Sequence, residues 1–238
     1  MSQDAPAAAA AATRAGNAEQ TSPIPPPAVI ARGISQQGPW GRVYGPLDLT
    51  VAAGGLTALR APAGPGRTAL QLTLAGRMKT RTGTLEVCGR TGAHRIFGAT
   101  ALAGIDELDG LYPSVRIVDL LTERLRWAAP WYRRVRRASP GDLERIAGPV
   151  FGELPLPDPD TWVEHLSELE NLLLRIALAN LRCPPLLMVA DLDRLTDDED
   201  QQRLVHRLVD LGRRQTVLTC TANPLDPAGY SSAPVSAP

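Results

Sequence analysis

Leu56-Thr57-Ala58-Leu59-Arg60-Ala61-Pro62-Ala63-Gly64-Pro65-Gly66-Arg67-Thr68 is the stretch that decides the fold. Its first five residues suit a short buried strand, the middle is a Gly/Pro turn, and Thr68 to Met78 sets Leu70, Leu74 and Met78 on one helical face. A strand that turns sharply into a helix makes an anion site. Gly64 and Gly66 permit the positive-φ turns that aim backbone N–H groups inward. The helix start adds the positive end of its dipole. Arg67 brings charge as a wide fork, where lysine would bring a point charge. The Thr68 hydroxyl suits a divalent cation. Alone, the stretch also reads as a plain strand–turn–helix joint, so its surroundings must decide.

Outward from it, strand and helix patterns alternate. Val29–Arg32, Leu47–Val51, Thr84–Val87, Leu186–Ala190 and Thr216–Cys220 read as strands. Glu168–Leu181 and Asp198–Leu211 read as helices, and Val115 to His165 as a mostly helical interruption broken near Pro140 and Pro155–Pro159. The alternation predicts an α/β fold with a mainly parallel sheet and an inserted helical subdomain at about 107–182. Residues 1–27, rich in Ala and Pro, are expected to be a disordered arm, 28–223 the domain, and 224–238 a flexible tail.

Composition narrows the classes further. The chain has 238 residues, 44% of them hydrophobic, which suits one domain with tails. Formal net charge is zero, so nothing global points to nucleic acid. Cys88, Cys183 and Cys220 are scattered, with no CxxC pair, and read as reduced thiols. No run of 18 apolar residues exists to span a bilayer. The N-terminus carries Asp4 and lacks the basic start of a signal peptide.

Several motifs then fall in a telling order. Ala61 to Thr68 matches GxxxxGK[ST] at its second glycine and its threonine, with Ala61 for the first glycine and Arg67 for the lysine. Leu166-Ser167-Glu168-Leu169-Glu170, followed by Arg175, Ile176, Ala177, Leu178 and Ala179, is similar to an LSGGQ helix start. Ser167 and Glu170 also form a capping box. Leu186-Leu187-Met188-Val189-Ala190-Asp191 looks like a Walker B strand, and Thr216 to Thr221 like the strand before a switch histidine, with Ala222 at that position. The whole order, across roughly residues 28 to 224, resembles the nucleotide-binding domains of ATP-binding-cassette (ABC) transporters, a branch of the P-loop NTPases, with degenerate motifs, and the resemblance implies an N-terminal antiparallel β part beside the mainly parallel sheet.

The resemblance implies the following roles. Ala63, Gly64, Pro65, Gly66, Arg67, Thr68 and Ala69 would cradle the phosphates of ATP, and Trp40 would stack on adenine, with Tyr44 the alternative. Ser167 would face the nucleotide of an opposite subunit. Thr68 and Asp191 would support Mg2+, and Asp191 would be the catalytic carboxylate. Two registers stay open: either Ala190 or Asp191 stands at the cation-supporting aspartate, with Asp197 or Asp198 as the matching downstream acid. No glutamine lies between Thr100 and Pro113, so Asp106 and Glu107 are the nearest candidates for the Q-loop. The expected protein is a cytoplasmic subunit, peripheral at the inner face of the cell membrane. It would form a homo- or heterodimer, dock a separate transmembrane partner through the helical subdomain, and hydrolyse ATP weakly. The alternative is a nucleotide-binding scaffold that does not hydrolyse.

Overall fold

The computed structural model describes residues 26–223 and, by backbone path, 231–234. The expected arm, up to residue 25, and most of the expected tail (224–230 and 235–238) lie outside the described residues.

Two long strands, β1 (Pro27–Gly38) and β2 (Gly41–Ala52), form an antiparallel hairpin. β3 (Leu56–Arg60) runs into α1 (Pro65–Leu74). β4 (Thr82–Val87) returns to pair with β1, and β5 (Arg90–Thr91) pairs with β4, giving a small sheet of order β2-β1-β4-β5. After α2 (Ala93–Phe97) comes β6 (Thr100–Ala103). Four helices then precede the next strand: α3 (Asp106–Asp109), α4 (Ile117–Ala128), α5 (Pro140–Phe151) and α6 (Glu168–Ala179). β7 (Leu186–Val189), α7 (Asp198–Gly212), β8 (Thr216–Thr221) and β9 (Ser231–Pro234) complete a parallel sheet of order β6-β7-β8-β3-β9. The α/β class and the mixed sheets agree with the sequence reading. One correction falls in the tail: Ser231–Pro234 pairs in parallel with Thr57–Arg60, because β3 would otherwise leave an open edge of backbone N–H and C=O groups.

The period of two in the parallel strands builds two cores. Leu186 and Met188 point to the side of α1 and the hairpin, with Leu59, Leu70, Leu74, Leu218 and Cys220. Leu187 and Val189 point the other way, into Leu121, Phe151, Leu173, Ile176 and Leu208 of the helical layer. The strand between these faces therefore has no polar residue until it ends at Asp191.

α6 begins where the sequence says it should. Glu170 N–H donates to Ser167 Oγ at 3.1 Å, and Ser167 N–H to Glu170 Oε2 at 2.8 Å. α7 is capped by Asp197, which accepts from Glu199 N–H at 2.7 Å and Asp200 N–H at 3.1 Å. That role gives Asp197 a structural explanation, with Asp198 one residue inside the helix.

Candidate functional site

The turn from β3 to α1 lies at the C-terminal end of the parallel strands, where ligand crevices form in open α/β sheets. Pro62, Ala63, Gly64 and Pro65 are exposed, so the loop is open to solvent. Gly64 takes φ 136°, and nothing lies within 4 Å of where its Cβ would be. Gly66 is different: a Cβ there would come 2.6 Å from the Val43 carbonyl oxygen of β2, so only glycine lets helix and hairpin approach. Prolines at 62 and 65 remove two N–H donors that such a loop otherwise offers to phosphate. α1 starts without a side-chain cap and without an acid in its first turn. Its N-terminal dipole is therefore uncompensated.

Arg67 is the centre of the site. Its side chain is 4% exposed. One Nη contacts Asp191 Oδ2 at 2.7 Å, and the other contacts Asp193 Oδ2 at 2.8 Å. The second also reaches the Ala61 carbonyl at 3.3 Å. Gln71, one turn further along the same face of α1, donates to Asp191 Oδ1 at 2.6 Å. Thr221 Oγ1 donates to Asp193 Oδ1 at 2.7 Å, and Ala222 N–H to Asp193 Oδ2 at 2.7 Å. All four oxygens of the two carboxylates thus have donors. The guanidinium bridges the helix start to the end of β7 and, through Asp193, to the end of β8. The trio carries one net negative charge.

The two carboxylates titrate in opposite directions. Burial raises Asp191 above the ordinary carboxylate value, and Arg67 and Gln71 only partly offset it. Burial also raises Asp193, but the donations from Thr221, Ala222 and Arg67 outweigh it and hold that group below its ordinary value.

Of the expected site residues the structure joins Arg67 and Asp191 directly, at 2.7 Å, and Thr68 is half-buried, next to Arg67 in the chain. Ala69 packs its methyl into the core, so only its backbone could serve a ligand. Trp40 stands at the hairpin tip, 98% exposed. It is three residues from Val43, about 10 Å along the strand. Tyr44 is a core residue instead, buried with its hydroxyl donating to Thr73 Oγ1 at 2.8 Å, and cannot stack on a base. Ser167 is not part of the Arg67 cluster. It lines a separate cleft with Asp106, Glu168, Arg175 and Arg194. Glu168 there accepts from Thr196 N–H at 3.0 Å, so this unexpected carboxylate is held within the chain. Asp106 pairs with Arg175 at 2.8 Å and with Arg194, which gives it a structural tie. Sequence reasoning missed Asp193, Gln71 and Thr221. Gln71 was within reach of it, since i and i+4 on one helix face must point alike. Asp193 was not, because its approach depends on the tight turn Leu192–Arg194 after the strand.

A triphosphate fits this site in part. The helix start is uncapped, the loop is open and a guanidinium is at hand. The side chains alone do not build a cage for a divalent cation, which would need phosphate oxygens beside the Thr68 hydroxyl. Asp191 gives both oxygens to Gln71 and Arg67, and among the described residues no group of three or more His, Cys, Asp or Glu could hold a metal.

No known family profile matches the chain. It is 27% identical over 207 residues to the cytochrome c biogenesis ATP-binding export protein CcmA of Pseudomonas putida KT2440, covering 84% of this chain and 92% of that protein. CcmA of strain GB-1 is 27% identical over 206 residues, with the same coverage. Among solved structures, an ATP-binding cassette in a dimeric post-hydrolysis state with ADP and phosphate superposes with TM-score 0.63 at 13% identity, covering 82% of this chain and 88% of that one. CbiO1 of Clostridium perfringens, part of an ABC transporter complex, does so with TM-score 0.61 at 14% identity, covering 83% and 79%. The chain thus has the fold of ABC-type nucleotide-binding domains and is similar in sequence to an ABC ATP-binding protein.

Proposed function

We propose that this chain is the ATP-binding subunit of an ABC-type transporter or membrane complex, with turnover that is weak until a partner acts on it. ATP would lie with its phosphates on Ala63–Ala69 and its base against Trp40. The similarity to CcmA, an ATP-binding export protein, supports a subunit that serves a separate membrane component. Among the described residues no helix is long and apolar enough to cross a membrane itself. Pairing with a second cassette is expected, as in the dimeric relative.

One observation carries the kinetic part of the reading. Arg67 is bound at 2.7 and 2.8 Å to the two carboxylates nearest the phosphate loop. Incoming phosphates must compete with Asp191 and Asp193 for that guanidinium. Asp191, while so held, is poorly placed to orient a water. A second reading, a scaffold that binds nucleotide without hydrolysis, draws on the same contacts, which leave no carboxylate oxygen without a donor.

The test is an ATP titration followed by tryptophan emission, run beside Trp40→Phe, with phosphate release measured at saturation. Saturable quenching that is lost in the variant, with slow phosphate release, is expected. No change in emission at any ATP concentration would sink the subunit reading. Binding with no release in the presence of membrane extract would favour the scaffold.

A further inference from the structure

Between α4 and α5 the chain reads Arg126-Trp127-Ala128-Ala129-Pro130-Trp131-Tyr132-Arg133-Arg134-Val135-Arg136-Arg137. Five arginines and three aromatics share these twelve residues without one acid, in a chain whose formal net charge is zero. Five of the chain's 25 lysines and arginines therefore fall in this one acid-free stretch.

The side chains point outward. Trp131 is 96% exposed, Trp127 78% and Tyr132 74%. Trp131 and Tyr132 meet edge to face, centroids 5.8 Å apart, and so present two rings at one spot. Arg137 pairs loosely with Asp119 and Asp160 at 3.9 and 3.5 Å. Arg126, Arg133, Arg134 and Arg136 have no acidic partner among the described residues. The backbone, by contrast, is tied down. Arg133 N–H donates to the Pro130 carbonyl at 2.9 Å, closing a turn, and Ala138 N–H donates to Thr122 Oγ1 at 2.8 Å. Ser139 and Asp142 cap α5 just beyond. The result is an anchored ridge with bare rings and unpaired cations at its crest.

We propose that residues 126–137 bind anionic phospholipid at a bilayer surface. Tryptophan and tyrosine rings favour the headgroup level, where one end is apolar and the other wet. Arginines beside them gain from the negative surface potential of anionic lipid. Trp127 lines a cleft with Phe97, Leu108 and Tyr112, but Trp131, Tyr132 and the arginines from 133 to 137 lie outside that cleft, on exposed chain with neither helix nor strand, which offers a partner of fixed shape no packed surface. A bilayer needs only projecting rings and charge of one sign, both of which are present. This goes beyond the subunit reading, because it puts the chain itself on lipid and requires neither nucleotide nor membrane protein.

The experiment is co-sedimentation of the full chain, without nucleotide, with protein-free vesicles of phosphatidylcholine alone or with one third phosphatidylglycerol. The wild type should bind the anionic vesicles alone and leave them as salt rises. Replacing Arg133, Arg134 and Arg136 together by Gln should lower the partition coefficient about a hundredfold. Trp131→Ser with Tyr132→Ser should weaken binding and reduce the blue shift of tryptophan emission to what Trp127 contributes. These residues are exposed, so thermal melts should match the wild type, and the salt titration of the wild type stands even where a variant misfolds. Binding to both kinds of vesicle alike, or to neither, overturns the proposal. Failure on vesicles together with salt-sensitive capture by an acidic protein would reassign the ridge to a protein contact.

Discussion

Arg67→Met should destabilise the fold most where the site is most buried. The variant keeps the aliphatic bulk of the side chain and removes its charge. Asp191 and Asp193, 21% and 18% exposed, would then face each other with no cation between them. Removing one partner of a buried ion pair costs about 3–5 kcal/mol. The lower end applies here, because both carboxylates retain some solvent and keep their donors Gln71, Thr221 and Ala222. A loss of about 3 kcal/mol lowers Tm by roughly 6–12 °C for a domain of this size. The assay is thermal unfolding followed by circular dichroism at neutral pH. Adding Asp193→Asn to Arg67→Met should recover part of the loss, since one of the stranded charges is gone. An unchanged Tm in Arg67→Met would refute the view that this guanidinium holds the loop to the ends of β7 and β8.

Three further outcomes follow from the geometry. Gly66→Ala forces a methyl to within 2.6 Å of the Val43 carbonyl, so it should cost about 1–3 kcal/mol, read as a shifted urea midpoint. Asp193 is held below its ordinary value, so its stabilisation is complete above the ordinary carboxylate range and fades as pH falls through its folded value. Asp191 is raised and takes up its proton more readily in the fold, so it opposes that loss. Urea melts from neutral to acid pH should therefore show a shallower loss in Asp193→Asn than in the wild type. Finally, burial pushes the Cys220 thiol up to about 12, while Cys183 is exposed. A thiol reagent should label Cys183 in the native chain and reach Cys220 on unfolding alone.

Much of the fold was legible because each strong element repeats one period. Leu56–Leu59 and Thr216–Thr221 are unbroken apolar or β-branched runs, and the strands are Leu56–Arg60 and Thr216–Thr221. The capping box at Ser167 fixed the start of α6. β6 was missed because Thr-Ala-Leu-Ala is short and has weak strand preference, although Gly98 and Gly104 flank it, and pairing with β7 makes it a strand. β9 was missed because Ser231–Pro234 carries a proline and few apolar residues, and its place rests on the open edge of β3. In the site, the loop and Arg67 were read against the P-loop pattern, and Asp191 from the resemblance of its strand to a Walker B strand. Arg67's partners could not, because sequence cannot say which carboxylate a long side chain will meet. The motif pointed to phosphate, while the fold supplies Asp191 and Asp193 as well.

The most direct test of the central claim is calorimetric titration of the wild type and of Asp193→Asn with ATP in magnesium buffer. If phosphates must take Arg67 from two carboxylates, removing one negative charge should favour ATP by at least about 1 kcal/mol, or roughly fivefold in Kd. Saturable binding by the wild type and tighter binding by the variant is the expected result. Equal affinity in the two proteins, or no heat in either at millimolar ATP, would contradict it.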